Sequence, residues 1–159
     1  MSDDPGSKIG AVAVGVIVQD GHILLEPIAP WLNVGLKWRP IGGFIEFGEY
    51  AADAIVREFK EELDRDVEVI RLLEVYENLA TFDVESGPLK VHETVFLYEL
   101  RFATHDRPVD LEPLPSFEQE ARPGAQHSTA RWLPIAALRA GEHPVFPSTL
   151  ILMLEPLFE

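Results

Sequence analysis

The sequence predicts a single α+β domain, an α/β/α sandwich with strands flanking one strong central helix. Three observations carry that expectation. Ala52, Ile55, Val56, Phe59 and Leu63 recur at three- and four-residue intervals within Tyr50 to Leu63, which lays one apolar stripe along a helix. Valine- and isoleucine-rich runs stand on both sides of that segment, bounded by glycine, proline and aspartate. The chain has 159 residues, enough for one domain burying ~70% of its unfolded surface without a disulfide or structural metal.

The elements follow in order. Residues 1–7 carry Asp3, Asp4 and no periodic pattern, and are expected to be disordered. Ile9 to Val18 and His22 to Glu26 read as two strands. Asp20-Gly21 between them signals a hairpin, because both residues tolerate the positive φ of a tight turn. Pro27 to Pro40 reads as a loop carrying Trp31 and Trp38, and Gly42-Gly43 opens a short alternating segment, Phe44 to Phe47. The helix of Tyr50 to Leu63 comes next. Val67 to Phe82 and Val91 to Phe102 are long strands joined by a turn at Glu85-Ser86-Gly87-Pro88. Thr104 to Gly124 holds four prolines and reads as irregular. Ser128 to Leu133 is a last strand, Ile135 to Ala140 a short helix capped at Gly141, and the tail from Ser148 another short helix.

Composition narrows the function. There is no cysteine, which excludes thiolate metal sites, disulfide scaffolds and a cysteine nucleophile. With 27 acidic against 13 basic residues the net charge is −14, so long nucleic acid and anionic membrane are poor partners. A small anion remains possible where a bound cation bridges it to the protein. Neither a basic leader nor an apolar run of ~20 residues is present, so a cytoplasmic protein is expected.

Chemistry concentrates on the central helix. At ~100° per residue, Glu61 lies ~60° to one side of Glu58 and Glu62 ~40° to the other, so three carboxylates share one face. Like charges so placed destabilise a helix by ~0.2–0.5 kcal/mol per pair. A hard divalent cation would turn that repulsion into coordination. On the helix alone, a plain solvated glutamate face with an Arg57–Glu61 pair is the favoured explanation of the pattern.

The preceding residues extend it. Gly43, five residues, Glu49, seven residues, then Arg57-Glu58-Phe59-Lys60-Glu61-Glu62 resembles the Nudix box, G-x5-E-x7-R-E-U-x-E-E-x-G-U, with seven defined positions in register over 20 residues. Trp38-Arg39-Pro40-Ile41-Gly42-Gly43 before it and Ala130-Arg131-Trp132-Leu133-Pro134 near the end are similar to the family's flanks. Asp64 replaces the box glycine and Arg65 the following aliphatic residue; Asp can adopt the left-handed conformation at a cost, and Val67 can take the apolar role.

The resemblance implies a Nudix fold over nearly the whole chain, a mixed β-sheet with the box loop–helix and a short C-terminal helix. It also implies metal-dependent hydrolysis of a pyrophosphate bond in a nucleoside diphosphate linked to another group. By resemblance, Glu58, Glu61 and Glu62, with the backbone at Gly43, would bind Mg²⁺ or Mn²⁺, Glu61 and Glu62 serving catalysis too. Glu49 and Arg57 would pair to hold the loop on the helix, and Gly42, Gly43 and Arg39 would meet the substrate. A Nudix-fold domain that binds a nucleotide without cleaving it is the alternative.

Other residues stay open. The general base could be a helix glutamate or one of Glu93, Glu118, Glu120 and His127. His92 is a further candidate, and Lys37 a second possible phosphate contact. Trp31, Trp38, Phe44 and Tyr50 are candidate stacking residues, with core or dimer packing favoured for them. The family's markers for ADP-ribose, NADH and dinucleoside-polyphosphate substrates are absent; Ala80-Thr81 and Phe82 stand where two of them would fall. A homodimer is expected from the apolar content of the Trp31-Leu32 loop, the long strands and the tail Leu150 to Leu154.

Overall fold

A computed structural model describes residues 7–103 and 130–158. Strands β1 (Gly10–Gln19) and β2 (His22–Pro27) form the expected hairpin, with Asp20 at φ 48° and Gly21 at φ 73° in its turn. A 3-10 turn (Pro30–Leu32) and two short strands, β3 (Trp38–Arg39) and β4 (Ile41–Phe44), lead to helix α1 (Ala51–Leu63). The long strands β5 (Val67–Val84) and β6 (Gly87–Phe102) follow, then β7 (Arg131–Pro134), α2 (Ile135–Arg139), α3 (Leu150–Leu154) and a closing 3-10 turn (Glu155–Leu157).

The sheet is mixed. Its path runs β3-β2-β1-β6-β5, with β4 added to β1 and β7 to β2. β1 is the hub, antiparallel to β2 and β4 and parallel to β6. Its run from Val12 to Ile17 is wholly buried, as a strand covered on both faces requires. Ala13 and Ile17 point to a core shared with Ile55, Phe59 and Leu63 of α1. Val12, Val14 and Val16 point to a second core with Leu138, Leu150 and Leu154 of α2 and α3. Helices cover both faces, so the predicted sandwich is what forms.

Two boundaries differ from expectation. The segment expected at Phe44 to Phe47 is instead a strand at Ile41–Phe44, with both glycines inside it. Alternation misleads there because Gly42 and Gly43 give no hydropathy signal, while pairing with Val14 and Ala13 makes them strand residues. The tail is the second case. Leu150 and Leu154 are fully buried, so most of that apolar surface serves the monomer's own core and only Leu152 stays exposed. The strand expected from Ser128 is described from Arg131, and residues 1–6 and 104–129 lie outside the described residues.

Asp64 ends α1 as the missing glycine would. It sits in the left-handed region at φ 51°, ψ 42°, its N–H bonds to the Lys60 carbonyl at 3.1 Å, and Lys60 Nζ reaches its carboxylate at 3.3 Å. Val67 enters the α1 core in place of the missing box aliphatic. Because a left-handed non-glycine residue costs roughly 1–2 kcal/mol and the Lys60 pair is exposed and weak, Asp64→Gly is expected to raise stability by up to ~1 kcal/mol. Asp64→Val should lower it by at least ~1 kcal/mol. Urea denaturation of both variants checks the opposite signs.

Candidate functional site

The site forms where the β4–α1 loop folds back on the helix, and one guanidinium organises it. Arg57 Nη2 and Nε donate to the two carboxylate oxygens of Glu49 at 2.6 and 3.1 Å, a bidentate pair. Nη2 also donates to the Phe44 carbonyl at 3.0 Å, and Nη1 to Glu58 at 3.0 Å and Glu61 at 3.2 Å. Glu49 in turn accepts the Glu46 N–H at 2.8 Å, closing the loop on itself. The hydrogen bonds from Arg57, then the one from Glu46, hold the Glu49 carboxyl below its ordinary pKa. Those to Glu49 lead in raising that of Arg57.

The three helix carboxylates are not equivalent. Glu61 is exposed, Glu58 largely covered, and Glu62 buried at its tip. Burial pushes the Glu58 carboxyl up. It pushes Glu62 up to about 9, helped by repulsion from Glu26 and then Glu58. The solvated glutamate face is therefore excluded for Glu58 and Glu62. Glu58 lies under β4: a Cβ at Gly43 would stand 2.6 to 2.8 Å from its carboxylate. Glycine is needed there for the backbone to come so close. Gly42 faces the opposite side, where a side chain would strike the Ala13 carbonyl.

Glu26 is the participant that sequence reasoning missed. It is 1% exposed, on β2, beside Leu24 of the helix-side core in the strand's two-residue alternation. Arg39 Nη2 meets it at 3.1 Å. The signal was a lone acid at an inward position of an otherwise apolar strand, and Arg39 directly opposite it in the β2–β3 register. Arg39 is thus first a counter-ion to a buried acid, and its guanidinium has donors to spare.

Could these residues hold a divalent cation? Among the described residues no three acidic or histidine side chains converge as a ready-made cage. Arg57 draws Glu58 and Glu61 to its own Nη1. Yet Glu62 Oε2 is buried with no hydrogen-bond partner among the described residues, and the donors nearby are all hard oxygens. A cation supplies what an orphaned, repelled carboxylate lacks. The residues fit one.

The remaining candidates divide. Glu93 pairs with Asn78 and lines a cleft with Arg39 and Tyr76, whereas His92 faces a separate hollow with Leu79 and Lys90. Glu118, Glu120 and His127 lie outside the described residues. Trp38 packs on the second core, while Trp31, Phe44 and Tyr50 are exposed, so of the core or dimer packing expected for them the core does not apply. Phe44 and Tyr50 bracket the loop that Arg57 holds, where turn geometry leaves no core to enter.

The NUDIX domain model matches residues 10–152. No curated protein matches. Among solved structures, a NUDIX hydrolase from Nitrosomonas europaea is similar at TM-score 0.64 and 20% identity, over 94% of this chain and 88% of that one. A MutT NUDIX hydrolase from Burkholderia pseudomallei aligns at TM-score 0.56 and 25% identity, over 92% and 97%. An ADP-ribose pyrophosphatase from Streptococcus suis 89-1591 aligns at TM-score 0.54 and 18% identity, over 96% and 94%.

The Glu26–Arg39 pair gives a test. Arg39→Leu strands a buried carboxylate and is expected to cost roughly 1–3 kcal/mol, tempered because Arg39 itself is part-exposed. Adding Glu26→Leu should recover most of that loss. Chemical denaturation of the two singles and the double measures the coupling, and additive losses would contradict it.

Proposed function

The chain belongs to the NUDIX family, and on that premise we propose that it is a metal-dependent pyrophosphohydrolase acting on a nucleoside diphosphate linked to another group. The observation that carries the reading is the buried Glu62 oxygen without a partner, repelled by Glu26 and Glu58. Such a group is unfavourable in a folded protein unless something cationic uses it.

Glu58, Glu61 and Glu62, with the Gly43 backbone, would hold Mg²⁺ or Mn²⁺. When bound, the cation supplies charge neutralisation of the diphosphate and acidifies water for attack. The chain's own residues do the rest. Arg57 and Glu49 keep the loop seated so that β4 stays over Glu58. Gly43 leaves room for a phosphate to approach backbone. Arg39, tethered to Glu26, adds positive charge beside the carboxylates. Glu61, the most exposed of the three helix carboxylates, faces solvent, where it would receive a proton.

Other features complete the proposal. Among the described residues no helix is long and apolar enough to cross a membrane, and a cytoplasmic setting suits the reading. The partner is a small nucleotide rather than a nucleic acid, because the −14 charge opposes a polyanion. Self-association is also proposed. Strand β5 is a sheet edge and leaves Ile70, Leu72, Val75 and Leu79 exposed. Light scattering is expected to give twice the chain mass of 17.8 kDa at micromolar concentration; a value near one mass would refute it.

Glu62→Gln separates the readings. With its carboxyl held up to about 9, Glu62 must take up a proton to fold at neutral pH, a cost that glutamine does not carry, so the metal-free melting temperature is expected to rise. The same change should cut the melting-temperature gain from added Mg²⁺ and lower turnover ~100-fold or more. Thermal shifts, and product release from NTPs, nucleotide sugars and dinucleotides, measure both. Metal-responsive folding with tight nucleotide binding and no product would favour the binding-domain alternative.

A further inference from the structure

On the sheet face away from α1 lies a cleft that the carboxylate site does not account for. β1 and β6 run parallel with Gly10 beside Glu93 and Val12 beside Val95, while β5 sets Tyr76 opposite Val95 and Asn78 opposite Glu93. Partners in a ladder share a face, so the two polar residues stand side by side over a valine floor. Phe44 shares that face through its pairing with Val12. A Cβ at Gly10 would lie 2.8 Å from the Phe44 ring and 3.7 Å from Glu93 Cγ, so glycine keeps the space between ring and carboxylate open.

The polar groups here are uncommitted. Among the described residues neither Asn78 nor Glu93 has a side-chain hydrogen bond or ion pair. Burial, with Glu93 nearby, raises the Tyr76 hydroxyl pKa and keeps it protonated. Arg39 joins the two regions: it lines this cleft and holds Glu26 beside the box carboxylates. The cleft is narrow, about 40 Å³, and admits the edge of a group rather than a whole nucleoside. Phe44, 62% exposed on the same sheet face, offers a ring for the remainder to stack on.

We propose that this cleft is the recognition subsite for the group attached to the diphosphate, with Glu93 accepting hydrogen bonds from two adjacent donors and Asn78 reading the position beside them. The inference rests on the pyrophosphohydrolase reading for its substrate's location. Adjacent donors occur on the N1–H and 2-amino edge of guanine, whose neighbouring carbonyl would take the Asn78 amide, and on the vicinal hydroxyls of a hexose beyond the diphosphate, the ribose pair being common to every ligand compared. Adenine presents a lone pair where the carboxylate needs a donor.

Calorimetry of GDP, IDP and ADP, and of UDP-glucose against UDP, with products analysed in the same samples, tests it. At least one pair should differ ~10–100-fold in affinity in favour of the donor-bearing ligand. A GDP preference places the donors on the base, and a UDP-glucose preference on the sugar. Glu93→Gln should erase the ratio, and Asn78→Ala reduce it, with melting temperature and Mn²⁺ binding kept. No discrimination in either comparison, or a ratio untouched by Glu93→Gln, overturns the assignment. Donor-dependent binding without hydrolysis would leave the cleft standing and remove the pyrophosphohydrolase reading; hydrolysis without discrimination would do the reverse.

Discussion

The guanidinium of Arg57 sits where a loop, a strand end and a helix meet, and its donors serve all three. Two go to the Glu49 carboxylate, one of them shared with the Phe44 carbonyl, and another reaches Glu58 and Glu61. A planar fork with fixed donor directions can satisfy acceptors on different elements at once, which a lysine ammonium cannot do as specifically. Everything near the site follows from that seating. With the loop held, β4 can lie over the helix, Gly43 can touch Glu58, and the Glu58 carboxylate is largely taken out of water.

Covering those carboxylates sets a charge problem that the fold answers only in part. Glu26, Glu58 and Glu62 come within mutual influence, while Arg39 and Arg57 are the cations beside them. Arg57 is spread over the outer acids, Arg39 is bound to Glu26, and the inner oxygen of Glu62 is left over. A cation bound there would relieve that repulsion.

Strand β1 divides the labour between the sheet's faces. Alternate residues pack on α1 or on α2 and α3, so the helix side carries the carboxylates while the other side carries Tyr76, Asn78 and Glu93. Arg39 touches both regions. On the proposed reading, one short diphosphate would have to reach both regions across a common edge. The short strands β3 and β4 provide that edge, and glycine at two of their six positions keeps it thin.

The sandwich, the central helix and the box were legible because each is a local pattern. Apolar spacing of three and four makes α1, a valine run makes β1, and spacing from Gly43 to Glu62 marks the loop–helix. Asp64 shows the limit of a motif: glycine is absent, yet the left-handed turn forms, because the last carbonyls of a helix need a partner whatever the residue. Exposure was not legible. Helical angles put Glu58, Glu61 and Glu62 on one face but cannot tell that two of them are buried and the third is left in solvent. Nor could spacing unite Glu26, on a different strand, with Glu62, or bring Asn78 beside Glu93 over a valine floor. Periodicity along the chain therefore determined the elements and the chemical types available. Register between strands and the packing of β4 on α1 decided which acids are buried together, because burial and field strength depend on distances across the chain that no local pattern encodes.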